Sequence, residues 1–349
     1  MKPKIVVLGA GFGGLELSTI LSETFGDRLD ITLIDKSTFF YFGFSKFDVM
    51  FSHKSTDAVR LSYRNIVKPG VRFYQEEITA IDPAARHVTT NKGAYDADIL
   101  VIALGADYDL EATPGLIQDG HEFYSFAGAE RLRAVLPTFS KGRAVIGVTS
   151  VPFKNPPAPS EAALLLHEYL TEHGVRDHCE ISLVVPFDVP IPSSPANSDA
   201  LLAAFAERNI AFLPNRFVRA LDASRHVAIL DNEKEMPYDL FLGVPKHKAP
   251  AVVAASGMTD DNGWIPVNSI NLKTIYSNVY AIGDVTDAGT PKTGVFAERD
   301  ARIVAASILA EIHSRELPPV TERAGASYNE LMDEKRYLES NRRARWFAQ

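Results

Sequence analysis

The 349-residue chain has 36 Lys and Arg against 44 Asp and Glu, a net charge of −8, and 46% hydrophobic residues. This balance is typical of a soluble globular protein of about two domains, and the lack of a long basic cluster argues against nucleic-acid binding. No apolar run reaches the roughly 18 residues of a membrane-spanning helix, and the N-terminus lacks a signal-peptide pattern. The single cysteine, Cys179, cannot form an internal disulfide, which predicts a cytoplasmic protein.

The first predicted unit is a strand, a glycine-rich turn and a helix. In KIVVLGAGFGG, Gly9, Gly11 and Gly14 have G-x-G-x-x-G spacing, and the next strand ends at Asp35. Gly9 permits the tight turn, Gly11 lets the backbone approach a pyrophosphate, and Gly14 lets the helix pack closely on the strand. The helix N-terminus offers free N–H groups to phosphates, and Asp35 accepts hydrogen bonds from a ribose. The pattern predicts a dinucleotide-binding unit.

A later segment repeats a pattern of this unit. Residues 77–106 and 218–244 both run through short strands, a polar turn and an apolar strand. The sequence alignment pairs Ile81-Asp82 with Leu221-Asp222, and Arg86-His87-Val88 with Arg225-His226-Val227. The offset of about 140 residues predicts two successive copies of one supersecondary unit.

The second copy has a proline-rich loop in place of the glycine turn. The strand RAVIGV (143–148) leads into SVPFKNPPAPSEAA (150–163), and Pro186 takes the position equivalent to Asp35. Proline has no N–H group to offer a phosphate, so a second dinucleotide such as NADH is disfavoured here. Ser160 is the predicted N-cap of the helix that follows the loop.

The chain then returns to the first unit. NVYAIG is a predicted strand that leads directly to Asp284, and residues 291–312 form a predicted helix with Thr293 or Gly294 at its N-cap.

In this order, the motifs resemble those of flavoproteins with two dinucleotide-binding domains. PFKNPPAPSEAALL, YDLFLGVPKHKAPAVV, GWIPVN, VYAIGDVT and PKTGVFAERDARIV are together similar to the flavoprotein subunit of flavocytochrome c sulfide dehydrogenase and to the sulfide:quinone reductases. The resemblance implies an α/β, glutathione-reductase-like fold with bound FAD. It also implies an FAD domain from residues 1–108 and 245–320, a second Rossmann-like domain at 109–244, and a short helical C-terminal segment at 321–349.

The resemblance also assigns site residues. The catalytic candidates are Lys292, Asn155 and Glu161, and no metal site is expected. Lys292 is expected to place a cation near the flavin, whereas Glu161 has the alternative of a first-turn carboxylate favoured by the helix dipole. The aromatic segment STFFYFGFSKFDVMF (37–51) is either a buried lining or a wall of an apolar pocket. The implied cofactor-binding residues are Gly9, Gly11, Phe12, Gly13, Gly14, Asp35, Lys36, Ile78, Ala103, Gly105, Gly283, Asp284, Lys292, Thr293 and Gly294.

The chain departs from the sulfide-oxidising relatives at both of their redox cysteines. Asn155 stands at one cysteine position, and Ser327 is the nearest candidate for the other. Cys179 precedes a strand and is expected to be structural. The short C-terminal stretch leaves little for membrane insertion, which makes a quinone in the bilayer a less favoured acceptor.

These observations predict an FAD-dependent oxidoreductase that exchanges electrons directly between a small substrate and FAD, without a disulfide. Two alternatives stay open: a catalytically degenerate flavin-binding subunit or scaffold, and an NAD(P)H-dependent flavin reductase. The electron acceptor is left open among oxygen, a quinone and a partner redox protein, as is a homodimer.

Overall fold

The computed structural model describes residues 2–313, so the predicted segment 321–349 and Ser327 lie outside the described residues. The described strands are β1 (Lys4–Leu8), β2 (Asp30–Asp35), β3 (Phe39–Tyr41), β4 (Arg60–Ser62), β5 (Val71–Gln75), β6 (Ile78–Asp82), β7 (His87–Thr90), β8 (Ala94–Asp96), β9 (Ile99–Ile102), β10 (Asp107–Asp109), β11 (His121–Glu122), β12 (Gly142–Val148), β13 (Cys179–Val184), β14 (Ile210–Leu213), β15 (Val218–Asp222), β16 (Val227–Leu230), β17 (Glu235–Pro237), β18 (Leu240–Val244), β19 (Lys246–Lys248), β20 (Ile265–Pro266), β21 (Val279–Ala281) and β22 (Thr286–Asp287).

The α-helices of the same residues surround these strands. They are α1 (Phe12–Phe25), α2 (Ser45–Met50), α3 (Leu116–Asp119), α4 (Phe126–Val135), α5 (Ala158–Glu172), α6 (Pro195–Glu207), α7 (Ala251–Ala255) and α8 (Gly294–His313). Within residues 2–313, none combines the length and apolar character needed to cross a bilayer.

The first sheet is parallel, with the strand order β21-β9-β1-β2-β5. Alternate residues of β1 point to opposite faces, as the two-residue period of a strand requires. Ile5 and Val7 pack with the helix residues Val304 and Ile308 in one core, whereas Val6 and Leu8 pack in a second core that contains Val88. Both faces are therefore covered, which explains why β1 is an unbroken apolar run.

The second sheet is also parallel, with the order β11-β18-β12-β13-β14. One face packs on α5 through Ala162 and Leu166, and the other contacts Val218 and Leu221 of a small antiparallel sheet. Strands β10 and β19 pair with one another. Each lies where the chain passes from one large sheet to the other. The predicted α/β fold with two Rossmann-like units is confirmed.

The predicted repeat is confirmed, including the match of Ile81-Asp82 with Leu221-Asp222, but the alignment after the turn is shifted by one residue. Sheets β6-β7-β8 and β15-β16-β17 are both antiparallel, and their register shifts between Ile78 and Ala80 and between Val218 and Ala220. Arg86 and His226 both have positive φ, 55° and 51°. The turns therefore match Arg86 to His226, and the sequence alignment of Arg86 with Arg225 was wrong. Backbone geometry, rather than side-chain identity, sets this register.

The helix that follows the proline loop begins earlier than predicted. Helix α5 starts at Ala158, and Pro157 precedes it with φ −70°. Ser160 is 2% exposed inside the first turn, so its assignment as the N-cap was wrong. Proline has a φ suited to the first helical turn, and prolines therefore start the helix here.

Candidate cofactor and active site

A cavity of about 650 Å³ opens at the carboxyl ends of β1, β2, β9 and β21. This is the edge at which parallel α/β sheets bind ligands. The lining combines the glycine turn, the aromatic segment, the proline loop and the start of α8. It consists of Gly9, Gly11, Phe12, Gly13, Asp35, Lys36, Ser37, Phe39, Phe40, Tyr41, Phe42, Gly43, Phe44, Lys46, Phe47, Tyr63, Ala103, Leu104, Gly105, Tyr108, Phe123, Tyr124, Ser125, Phe126, Lys154, Asn155, Ala158, Ile282, Gly283, Asp284, Lys292, Thr293, Gly294 and Ala297.

Glycine is required at the three positions of the first turn for different steric reasons. Gly9 has φ +99°, and a β-carbon there would lie 2.4 Å from Ala103 O. A β-carbon on Gly14 would lie 1.9 Å from Gly9 O, so only glycine allows the helix this close to the turn. At Gly11, by contrast, no atom of the described residues lies within 4 Å of the β-carbon position. Because Gly11 lines the cavity, its bare backbone leaves room for a ligand.

Two carboxylates are placed along the cavity. The Asp35 oxygens accept the backbone N–H groups of Ala10 and Ser37, both at 2.8 Å, which fixes the side chain at the end of β2. The Asp284 carboxylate faces the cavity and accepts no hydrogen bond from any group within residues 2–313. Burial raises the pKa of Asp284, whereas Lys154, Lys292 and Lys46 lower it. A hydroxyl-rich ligand would supply the donors that this carboxylate lacks.

The start of α8 closes the same side of the cavity. Thr293 directly precedes the helix, and its Oγ1 accepts the Phe296 N–H at 3.5 Å, so Thr293 is the N-cap. A β-carbon on Gly294 would lie 2.9 Å from the Phe12 ring. Glycine at this position therefore allows α8 to approach the first helix.

The proline loop is attached to two parts of the chain outside its own sheet. The Asn155 N–H donates to Lys292 O at 2.8 Å, and Lys154 Nζ donates to Ala106 O at 2.6 Å. Asn155 has φ +51°, a left-handed conformation that asparagine tolerates better than most residues. Its carbonyl accepts the N–H of Ala158, which begins α5. These bonds hold Asn155 at the cavity wall.

The comparison with protein families decides the assignment. The family described as "Pyridine nucleotide-disulphide oxidoreductase" matches residues 3–301. The chain belongs to this family. This oxidoreductase is 27% identical to the "Sulfide-quinone reductase" of Aquifex aeolicus (strain VF5) over 347 residues, which cover 90% of this chain and 78% of the relative. It is also 34% identical to the "Type II NADH:quinone oxidoreductase" of Staphylococcus haemolyticus (strain JCSC1435) over 140 residues, or 38% of this chain and 33% of that relative.

A solved structure extends the first similarity to three dimensions. The sulfide:quinone oxidoreductase from Aquifex aeolicus matches with a TM-score of 0.81 and 25% identity, covering 89% of this chain and 77% of that one. The protein is an FAD-dependent oxidoreductase. The cavity fits that cofactor, because Gly11 leaves space for the pyrophosphate and the carboxylates of Asp35 and Asp284 offer acceptors to ribose and ribityl hydroxyls.

The structure brings most of the predicted site residues of this oxidoreductase together. Of the predicted cofactor-binding set, all but Gly14 and Ile78 line the cavity. Gly14 packs on the glycine turn, and Ile78 lies on β6 against the core behind the first sheet. Asn155 lines the cavity, whereas Glu161 lies half-buried in the first turn of α5, outside the lining.

The ammonium group of Lys292 is directed toward backbone carbonyls. Its Nζ donates to Asp284 O at 2.7 Å and to Thr286 O at 2.9 Å, and it lies 3.5 Å from the centre of the Trp264 ring. Burial is the main cause that lowers the pKa of Lys292, to about 8. The side chain therefore joins the β21–α8 connection to Trp264, and a direct catalytic role stays a prediction.

Several cavity residues were missed by sequence reasoning. Lys46, Lys154, Tyr108 and Tyr124 line one part of the cavity, and the buried His247 packs edge-on against both tyrosine rings. Lys154 belongs to the proline loop, but nothing local distinguishes it from a surface lysine. From the aromatic segment, the residues that line the cavity are Phe39, Phe40, Tyr41, Phe42, Phe44 and Phe47. Phe51 instead packs in the core of the second sheet.

The single cysteine lies outside this lining. Cys179 begins β13, pairs with Gly142 across the second sheet, and is 5% exposed. Burial raises the pKa of its thiol, which disfavours the reactive thiolate. Within residues 2–313, no group of three or more His, Cys, Asp and Glu side chains is arranged to hold a metal ion.

Proposed function

We propose that this oxidoreductase exchanges an electron pair directly between a small substrate and FAD, without a redox disulfide. The observation that carries the proposal is the position of Cys179. It is the only cysteine of the chain, and it lies buried in the second sheet, outside the cavity lining. In the proline loop, Asn155 lines the cavity next to Lys154. When bound, FAD supplies the electron-pair chemistry.

The residues of the chain then have binding and orienting roles. The Asn155 amide both donates and accepts hydrogen bonds, and its fixed backbone suits it to orient a substrate, a contribution that lowers the barrier through positioning. Lys292 is proposed to hold the start of α8 beside the cavity through the Asp284 and Thr286 carbonyls. Glu161 is proposed to stabilise the first turn of α5 through the helix dipole.

The electron acceptor is proposed to be a quinone. Relatives named for quinones favour this choice over oxygen or a partner redox protein. The aromatic side chains that line the cavity also suit a flat apolar ring. From the sequence alone, the short C-terminal stretch made a quinone a less favoured acceptor, and this proposal revises that expectation. The cytoplasmic location, the homodimer and the domain boundaries at residues 108, 244 and 320 stay predictions.

An anaerobic titration tests the proposal. With no second thiol to store electrons, we expect dithionite to reduce the FAD-loaded protein with about two electrons per FAD. We also expect Cys179→Ser to leave both this endpoint and the rate of substrate turnover unchanged. An endpoint near four electrons, or loss of turnover in the variant, would show that the thiol takes part. A normal endpoint without turnover of any tested substrate would favour the degenerate flavin-binding subunit.

NADH is expected to reduce the flavin slowly. In the second copy, Pro186 takes the position that Asp35 has at the end of β2. The proline loop of this copy also lacks N–H donors at Pro152, Pro156 and Pro157. A dinucleotide is therefore poorly held at this edge of the second sheet. Stopped-flow measurements should give a rate of flavin reduction by NADH at least about 100-fold lower than in flavoproteins whose second domain carries the glycine fingerprint. This corresponds to a barrier about 2.7 kcal/mol higher. Rapid, saturable reduction at micromolar NADH would instead support the flavin reductase alternative.

A further inference from the structure

Two lysine ammonium groups converge on one part of the cavity, which we call the lysine end and define by Lys46, Tyr108, Tyr124 and Lys154. Lys46 Nζ donates to Tyr124 O, and the Tyr108 hydroxyl donates to the same carbonyl at 2.9 Å. Lys154 Nζ in turn lies 3.5 Å from the Tyr108 hydroxyl oxygen. A continuous chain of hydrogen bonds therefore links the two ammonium groups, although they come from α2 and from the proline loop.

The lysine end has more donors than acceptors. A lysine ammonium is a triple donor, and the Tyr108 hydroxyl adds one more donor. Among residues 2–313, the acceptors that these groups meet are Ala106 O, Tyr108 Oη and Tyr124 O. Several N–H donors therefore have no acceptor within this described part of the chain. Donors at a partly buried site are best satisfied by a partner, so a ligand with several acceptor oxygens fits this end.

The lysine end is also positively charged. Burial lowers the pKa of Lys154, but Tyr108, Asp284 and Asp107 together raise it above its ordinary value, so the group stays protonated. His247, behind the tyrosines, stays neutral because burial and then Lys154 lower its pKa to about 3. Asp284 is a nearby carboxylate, and the cofactor's hydroxyls are its expected partners. Two neighbouring, partly buried cations are costly unless they are paired, which favours an anionic ligand.

The walls beside the ammonium groups are aromatic. The Phe123 ring lies 5.1 Å from that of Tyr124, and the Phe47 ring lies 5.9 Å from that of Phe123, measured between ring centres. Both phenylalanines line the cavity. A ligand that meets the lysines with its charged group therefore places its remaining atoms against apolar rings.

We propose that the lysine end binds the carboxylate of a small organic acid with an apolar or aromatic body, and that this acid is the substrate class of the enzyme. The inference rests on the proposed function, because it names the substrate of that same site. Lys154 and Lys46 are specificity-determining residues that hold the carboxylate, while Phe47 and Phe123 contact the apolar body.

Benzoate and its uncharged analogue benzamide test the proposal on the FAD-loaded protein. Binding is measured by the change in the flavin absorption spectrum and by calorimetry, so that no turnover is needed. We expect benzoate to bind at least about tenfold more tightly than benzamide, since charge-assisted hydrogen bonds are the stronger ones. Equal affinities, or no binding of benzoate, would overturn the proposal without any variant.

Variants assign the effect to the two lysines. Lys154→Met and Lys46→Met keep most of the side-chain volume and remove the charge, and each should weaken benzoate by about tenfold while leaving benzamide unchanged. Lys141→Met, at an exposed position before β12, is the matched control and should leave both affinities unchanged. A benzoate affinity that is the same in all three variants would contradict the assignment.

The FAD content and the reductive titration of the same preparation separate this inference from the proposed function. If the protein holds FAD and takes up about two electrons but does not prefer benzoate, only the substrate class is wrong. If the titration ends near four electrons, the proposed function fails whatever benzoate does.

Discussion

A Gly11→Val variant is expected to fold and to lose most of its affinity for FAD. The β-carbon position at Gly11 has no atom of residues 2–313 within 4 Å, and the residue has φ −77°, so a β-carbon there meets no clash and the backbone conformation suits a non-glycine residue. The new side chain instead occupies the space in which the cofactor's pyrophosphate must approach the backbone. We expect FAD binding to weaken by at least about 100-fold, or about 2.7 kcal/mol.

Two further glycine variants complete this experiment. Gly14→Ala places a β-carbon 1.9 Å from Gly9 O, and we expect it to destabilise the fold by several kcal/mol, at the upper end of about 1–3 kcal/mol for overpacking or above it. Gly93→Val, at an exposed turn with no atom within 4 Å, is the matched control and should behave as the wild type. FAD content and thermal unfolding are measured for each. Full FAD occupancy in Gly11→Val would contradict the placement of the pyrophosphate.

The protein is expected to become less stable as the pH decreases, because of His247. This imidazole is 4% exposed, its Nδ1–H donates to Pro245 O at 2.8 Å, and burial is the main cause that lowers its pKa from 6.5 to about 3. The unfolded chain therefore binds a proton between these pKa values that the folded chain does not, and stability is lost as pH falls through that range. Between about pH 7.5 and pH 4, the loss is about 3 kcal/mol.

A His247→Gln variant isolates this contribution. Glutamine keeps an N–H donor but does not titrate, so its free energy of unfolding should fall by about 3 kcal/mol less over the same pH range. Denaturant unfolding at several pH values measures both proteins, and His53→Gln, which removes an exposed imidazole, controls for the loss of one histidine. A constant difference between wild type and His247→Gln at every pH would refute the buried, neutral imidazole.

The part of the site that was predictable depends on local steric rules. Gly9, Gly11 and Gly14 act within one turn and its helix, and Asp35 follows at the end of the adjacent strand, so their spacing alone indicates the geometry. The position of Asp284 was similarly accessible, because a buried strand leads directly to it. These features require few contacts with distant parts of the chain.

The lysine end was not predictable for the opposite reason. Lys46, Tyr108, Tyr124 and Lys154 come from four separate segments, and their hydrogen bonds form only when the proline loop meets the crossing near Ala106. No periodicity or spacing in the sequence reports such contacts. The prediction for Ser160 failed for another reason: its preference for the N-cap position was outweighed by the prolines around it, which fix the N-cap at Pro157, three residues earlier.

The attachments of the proline loop bear on how the protein melts. The loop follows a strand of the second sheet, yet its anchors are Lys292 O, before α8, and Ala106 O, after a strand of the first sheet. Loss of either sheet therefore removes contacts that hold the proline loop at the cavity wall. We infer that the two Rossmann-like units form one cooperative unit, which would appear in calorimetry as a single transition that bound FAD moves upward as a whole.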